Sequence, residues 1–170
     1  MDRREASENE LLGVLAPHVG DGHRDTIAVL VAVLRTGRMI ESWLTSTLSA
    51  DGLDTSEFTA LMALYLAGAP HRMPAGEISA ALVQTTGGTT KTVRRLEERG
   101  LVTRVSDPGD ARRSLIELTP AGREMAPATL SFVLDAFDLE IGDLDEAQRL
   151  EIGFGLVRLS AELGDRLDRG

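Results

Sequence analysis

Hydrophobic residues recur at helical spacing over most of the chain. Ile27, Leu30, Val31 and Leu34 form one stripe of a long helix that opens at Asp21 or Gly22 and runs to about Ser49. Met39, Ile40, Trp43, Leu44 and Leu48 continue it with a phase shifted around Gly37, which implies a bend or a change of partner. Residues 53 to 66 predict a second helix with Asp54 as its cap and Phe58, Leu61, Met62 and Tyr65 turned inward. Residues 68 to 74 break the pattern and leave room for a small strand. Residues 74 to 83 resume it as a helix that buries Ile78 and Leu82. Ahead of all these, Ser7 and Glu10 stand at capping-box spacing before Leu11, Leu12, Val14 and Leu15. They predict a short helix ending near Pro17, an arm for packing on a second subunit.

The stretch from 82 to 113 changes character. Thr85 or Thr86 can cap a helix start, because a short side-chain oxygen accepts one of the backbone N–H groups that lack intrahelical partners. Gly100 suits the position just past the helix end. Thr89, Val93 and Leu96 then share a core stripe, with Gly87, Gly88, Lys91 and Arg95 roughly opposite and Arg94 at the flank. Each glycine costs about 1 kcal/mol of helix relative to alanine, so two near the start suggest that something approaches the backbone closely. The wall of a DNA major groove is such a thing.

Beyond Gly100 the period becomes two. LVTRV alternates, SDPGDARR supplies a Pro-Gly turn, and SLIEL reads as the returning strand. Thr119 caps the next helix, with Pro120 at its first position. Helix, hairpin and capped helix in this order predict a winged helix-turn-helix. Asp110 can pair with Arg112 and hold it outward at the tip, beside Arg113, where an arginine suits a narrow and strongly negative minor groove.

The net charge of −9 argues at first against a polyanionic partner. Its distribution reverses that: residues 84 to 113 carry seven basic and four acidic side chains, a surplus of three on a body that is otherwise strongly acidic. A local basic face can bind duplex with an affinity that falls steeply with salt. No cysteine is present, which excludes a disulfide framework and a thiol switch. Neither an early apolar leader nor a long apolar run is found, so a cytoplasmic protein is expected. His18, His23 and His71 are scattered, and no hydrolase triad order, metalloprotease motif or phosphate loop appears. No enzyme activity, metal or cofactor is expected.

The C-terminal pattern bears on assembly. Leu130, Val133, Leu134, Phe137 and Ile141 fit one amphipathic helix. After a turn at 142–145, Leu150, Phe154 and Val157 mark one stripe of a last helix, while Ile152, Leu156, Leu159 and Leu163 mark another. Two apolar stripes need two partners, so the ends of two chains are expected to pack together. Two recognition helices would then enter successive major grooves about 34 Å apart and read a near-palindromic site.

The segment LVQTTGGTTKTVRRLEERGLVTRVSDPGDARRSLIELTPAG resembles the MarR family of dimeric bacterial transcription regulators. Asp110, Arg112, Leu118, Thr119 and Gly122 occupy the places of the family's wing motif, and RLEERGLV matches the end of its recognition helix. The resemblance is detailed over residues 53 to 125 and architectural elsewhere. It implies a mainly α fold with a small β-wing, flanked by N- and C-terminal dimerisation helices: residues 1–50 and 126–170 for pairing, 53–125 for DNA. The implied DNA contacts are Thr85, Thr86, Gly87, Thr90, Lys91, Arg94, Arg95, Asp110, Arg112 and Arg113. It also implies repression relieved by a small aromatic or anionic ligand. No family motif marks that pocket; Arg38, Met39, Trp43, Met62 and Tyr65 are the side chains whose chemistry suits it. An activator, a winged-helix protein-interaction module and a ligand carrier with a vestigial reading head are the alternatives.

Overall fold

A computed structural model of the chain describes Gly13 and residues 21–83, 85–110 and 114–167, so the predicted helix near Ser7 lies outside the described residues. The chain divides into two compact units, residues 1–59 and 60–170. In the first, a 3-10 turn over Asp21–His23 leads into α1 (Arg24–Leu48), and a second turn over Ser49–Asp51 follows it. The helix is unbroken through Gly37. The phase shift therefore marks a change of burial: Leu30, Leu34 and Met39 are more than half exposed, Trp43 and Leu44 are half-buried, and Leu48 is sealed from solvent.

Asp54 caps α2 (Thr55–Leu66), as its position predicted. The Glu57 N–H donates to Asp54 Oδ1 at 2.8 Å, and the Asp54 N–H donates to Glu57 Oε2 at 2.9 Å. Two N–H groups are satisfied reciprocally, which accounts for a glutamate that is almost fully buried. Phe58, Leu61 and Met62 are buried as expected. Tyr65, expected inward, is half-buried, its ring stacked on His71 at 5.7 Å.

The second unit continues with β1 (Arg72–Pro74), α3 (Ala75–Leu82), α4 (Thr86–Glu98), β2 (Val102–Ser106), β3 (Ser114–Leu118), α5 (Pro120–Glu140) and α6 (Glu146–Leu167). The strands form an antiparallel sheet in the order β1-β3-β2. The small strand expected within 68–74 is thus present, pairing Met73 with Ile116. Leu61, Leu64, Ile78, Val93, Leu96, Ile116 and Leu118 are fully buried or nearly so. Leu82, expected in this core, is only half-buried, because α3 ends there and Val83 turns the chain in a left-handed conformation at φ 50°.

The start of α5 is fastened to the joint between α4 and β2. Thr119 Oγ1 accepts the Gly122 N–H at 3.1 Å and donates to the Gly100 carbonyl at 2.7 Å, while the Thr119 N–H donates to the Leu101 carbonyl at 3.1 Å. A Cβ on Gly122 would collide with the Leu101 carbonyl oxygen, so this approach requires glycine. Helix α5 runs without a break through residue 125 and buries Ala126, Thr129 and Val133. Leu134, read as part of its apolar stripe, is more than half exposed. Asp145 and Gln148 cap α6 reciprocally, at 2.9 and 3.0 Å.

Candidate nucleic-acid interface

Helix α4 is closed at both ends by its own sequence. Thr85, extended in backbone, is the N-cap and accepts the Gly88 N–H at 3.3 Å. At the other end Gly100 adopts φ 70°; its N–H donates to the Glu97 carbonyl at 2.9 Å and the Leu101 N–H to the Leu96 carbonyl at 2.9 Å. That pair of bonds is the Schellman closure, and Leu96 and Leu101, both buried, supply its apolar contact.

The buried stripe is wider than the apolar pattern predicted. Thr92 joins Thr89, Val93 and Leu96 in the core. Both threonines can be buried because their hydroxyls are used: Thr89 Oγ1 accepts from Ser79 Oγ at 2.9 Å, joining α3 to α4, and Thr92 Oγ1 donates to the Gly88 carbonyl at 3.3 Å. With Thr92 inside, Gly88 and Arg95 become half-buried flanks and Arg94 moves to the middle of the exposed face. This corrects the expectation that placed Arg95 opposite the core and Arg94 at its edge.

The outward face is made by Gly87, Thr90, Lys91 and Arg94, all exposed. A Cβ at Gly87 would meet nothing within 4 Å beyond its own helix among the described residues, so packing there does not explain its missing side chain. Arg94 lies 3.5 Å from Glu98, one turn on and similarly exposed, whereas Lys91 has no ion pair among the described residues. Thr86 opens α4, and its side chain is outside the described set.

The hairpin is as expected, with Val102 paired to Leu118 and Ser106 to Ser114. At its turn Asp107 Oδ1 accepts the Gly109 N–H at 2.8 Å, and Asp110 is exposed. Arg112 and Arg113 lie outside the described residues, and with them the expected pairing of Asp110 and Arg112. Sequence reading missed a tie between strand and helix: Arg104 Nε donates to Glu97 Oε1 at 3.0 Å. The two are seven residues apart, but the helix ends between them at Gly100, so neither the helical nor the strand period carries from one to the other. Arg94 and Arg104 thus both face carboxylates, and the basic surplus is less free than a count of charges suggests.

Of the residues proposed to hold a small ligand, Arg38 and Met39 are exposed, Trp43 and Tyr65 are half-buried, and Met62 is buried. A groove on α6 is lined by other residues, among them Phe154, Arg158 and Glu162. Among the described residues no group of histidines and carboxylates suits a metal, and no helix is long and apolar enough to cross a membrane.

A sequence model of the MarR family matches residues 51–113, which span α2, β1, α3, α4, β2 and the turn of the hairpin. The HTH-type transcriptional repressor NicR of Pseudomonas putida is 31% identical over 84 residues, 47% of this chain and 53% of that protein. The chain therefore spans about half the length of this curated relative. A MarR family transcriptional regulator from Streptomyces coelicolor superposes with a TM-score of 0.70 at 26% identity, over 83% of this chain and 96% of the other. BpsR of Bordetella bronchiseptica superposes with a TM-score of 0.67 at 24% identity, over 78% and 98%. The MarR family's sequence pattern falls on the capped helix and the hairpin, and the likeness of fold to a MarR family regulator extends well beyond them: over residues 51–113 the chain is similar to the MarR family.

Proposed function

We propose that the chain is a homodimeric transcriptional regulator that binds double-stranded DNA at a near-palindromic operator, acts as a repressor in the cytoplasm, and leaves DNA when a small aromatic or anionic molecule binds. The observation that carries this reading is the outward face of α4. Gly87, Thr90, Lys91 and Arg94 stand on a helix capped at both ends and backed by a closed core, beside a β-hairpin. A rigid helix with a cationic, sterically open face suits a major groove, and a hairpin at its side can reach the adjacent minor groove.

Dimerisation is supported by α6, whose Leu150, Phe154, Val157, Ile152, Leu156 and Leu163 are all exposed in the single chain. Repression is supported by the named role of NicR, and release by a ligand by the regulation of BpsR's DNA binding by 6-hydroxynicotinic acid. In physical terms the ligand would favour a dimer with the wrong spacing of its reading helices, and would weaken DNA binding by its differential affinity for the two shapes.

The test is retardation of duplex from beside the gene at two salt concentrations, followed by footprinting and a reporter transcript. Binding that weakens with salt, with transcription rising when the gene is deleted, supports the reading. Transcription that falls on deletion makes the protein an activator. No duplex binding at low salt rejects the reading and favours a protein-interaction module or a ligand carrier.

A further inference from the structure

The passage from α4 to β2 is a short joint. Gly100 turns left-handed, and Leu101 is held by bonds to the Leu96 carbonyl and from the Thr119 N–H. A joint of this kind fixes where the hairpin begins. The direction of its far end depends on contacts further out, and β2 lies at the edge of the sheet with β3 as its only strand neighbour among the described residues. Arg104 is two residues into β2, opposite Ile116, and its Nε–H donates back to Glu97 Oε1 in the last turn of α4 at 3.0 Å. The two side chains are 46% and 29% exposed, neither buried for the sake of the core nor fully solvated.

We propose that Arg104 is a positioning residue: its bond to Glu97 sets the angle between hairpin and reading helix, so that both meet one duplex together. This rests on the DNA-binding reading above. Counting charges would place Arg104 among the phosphate contacts; the geometry gives its guanidinium to a carboxylate of the same chain instead. A partly exposed ion pair contributes little to global stability. Its effect falls on DNA affinity, because a misdirected hairpin loses its own contacts while α4 keeps its contacts.

The experiment uses a labelled duplex that the full-length wild-type protein has enriched from a random-sequence pool. Dissociation constants are measured for wild type, Arg104→Ala, Glu97→Gln, Glu97→Arg and the exchanged pair Glu97→Arg with Arg104→Glu, alongside melting temperatures. The expected loss for Arg104→Ala and for Glu97→Gln is about five- to tenfold, the scale of one lost arginine contact. Glu97→Arg should also weaken binding, although it adds positive charge near a polyanion, because it sets two guanidinium groups against each other. The exchanged pair, which has no cation at position 104, should recover to within about twofold of wild type, and all four variants should melt within about 2 °C of it. If Arg104 instead touches phosphate, Glu97→Arg tightens binding and the exchanged pair stays as weak as Arg104→Ala. Either that pattern or an inert Glu97→Gln overturns the proposal. If the pool yields no enriched sequence and wild type binds no duplex, the DNA-binding reading fails with it, and that failure is visible before any substitution is made.

Discussion

The winged head and the last helix treat their apolar residues in opposite ways. In the head, Val93, Leu96, Ile116 and Leu118 are sealed from solvent, and the ends of α4 are closed by Thr85 and by the Gly100 and Leu101 bonds. In α6, Phe154 and Val157 are about 70% exposed, and of the two apolar stripes only Leu159 is half-buried. Full burial of one such side chain is worth roughly 1.5–3 kcal/mol, so six exposed apolar residues on one helix are a strong drive to associate. The difference teaches that one chain suffices to close the core of the winged head, while α6 is left with apolar residues that the single chain does not cover.

The substitution with the largest expected effect attacks the self-sufficiency of the head. Gly122→Ala drives a methyl group into the Leu101 carbonyl, where backbone must move, and should cost about 3 kcal/mol in chemical denaturation. Next, Phe154→Asp places a charge on the exposed stripe of α6. It should raise the dimer dissociation constant on the order of 100-fold in sedimentation, while the circular dichroism of the monomer remains helical. A Gly122→Ala protein as stable as wild type together with a Phe154→Asp protein as strongly associated as wild type would erase the contrast between the two regions. The smallest effect sharpens it. Gly87→Ala meets nothing within 4 Å beyond its own helix among the described residues and should stabilise α4 by about 0.5 kcal/mol, yet weaken DNA binding several-fold if the proposed duplex contact at this face holds. Tighter folding together with unchanged binding would remove Gly87 from the interface.

Much of the head was legible because its signals are local. The Asp54, Thr85 and Thr119 caps, Gly100 past the end of α4, and the alternation on either side of the Pro-Gly turn each rest on a few adjacent residues, and each is found where predicted. The orientation of α4 was less legible. Thr92 reads as polar and therefore outward, but its hydroxyl bonds back to the Gly88 carbonyl and lets the residue be buried, which turns Arg95 to the flank and Arg94 outward. A polar pattern cannot report a hydroxyl satisfied within its own helix. Glu97 and Arg104, and Ser79 and Thr89, were missed for another reason: these pairs are made by the turn between two elements, and their spacing follows no single period.

The most direct measurement is a hydroxyl-radical footprint of the wild-type protein on a duplex it has selected. Two reading helices held by paired chain ends should protect two patches whose centres lie about 34 Å apart, one helical turn, related by an approximate dyad. A single protected patch, or uniform protection without register, would contradict the claim that α4 reads DNA from a dimer joined through its terminal helices.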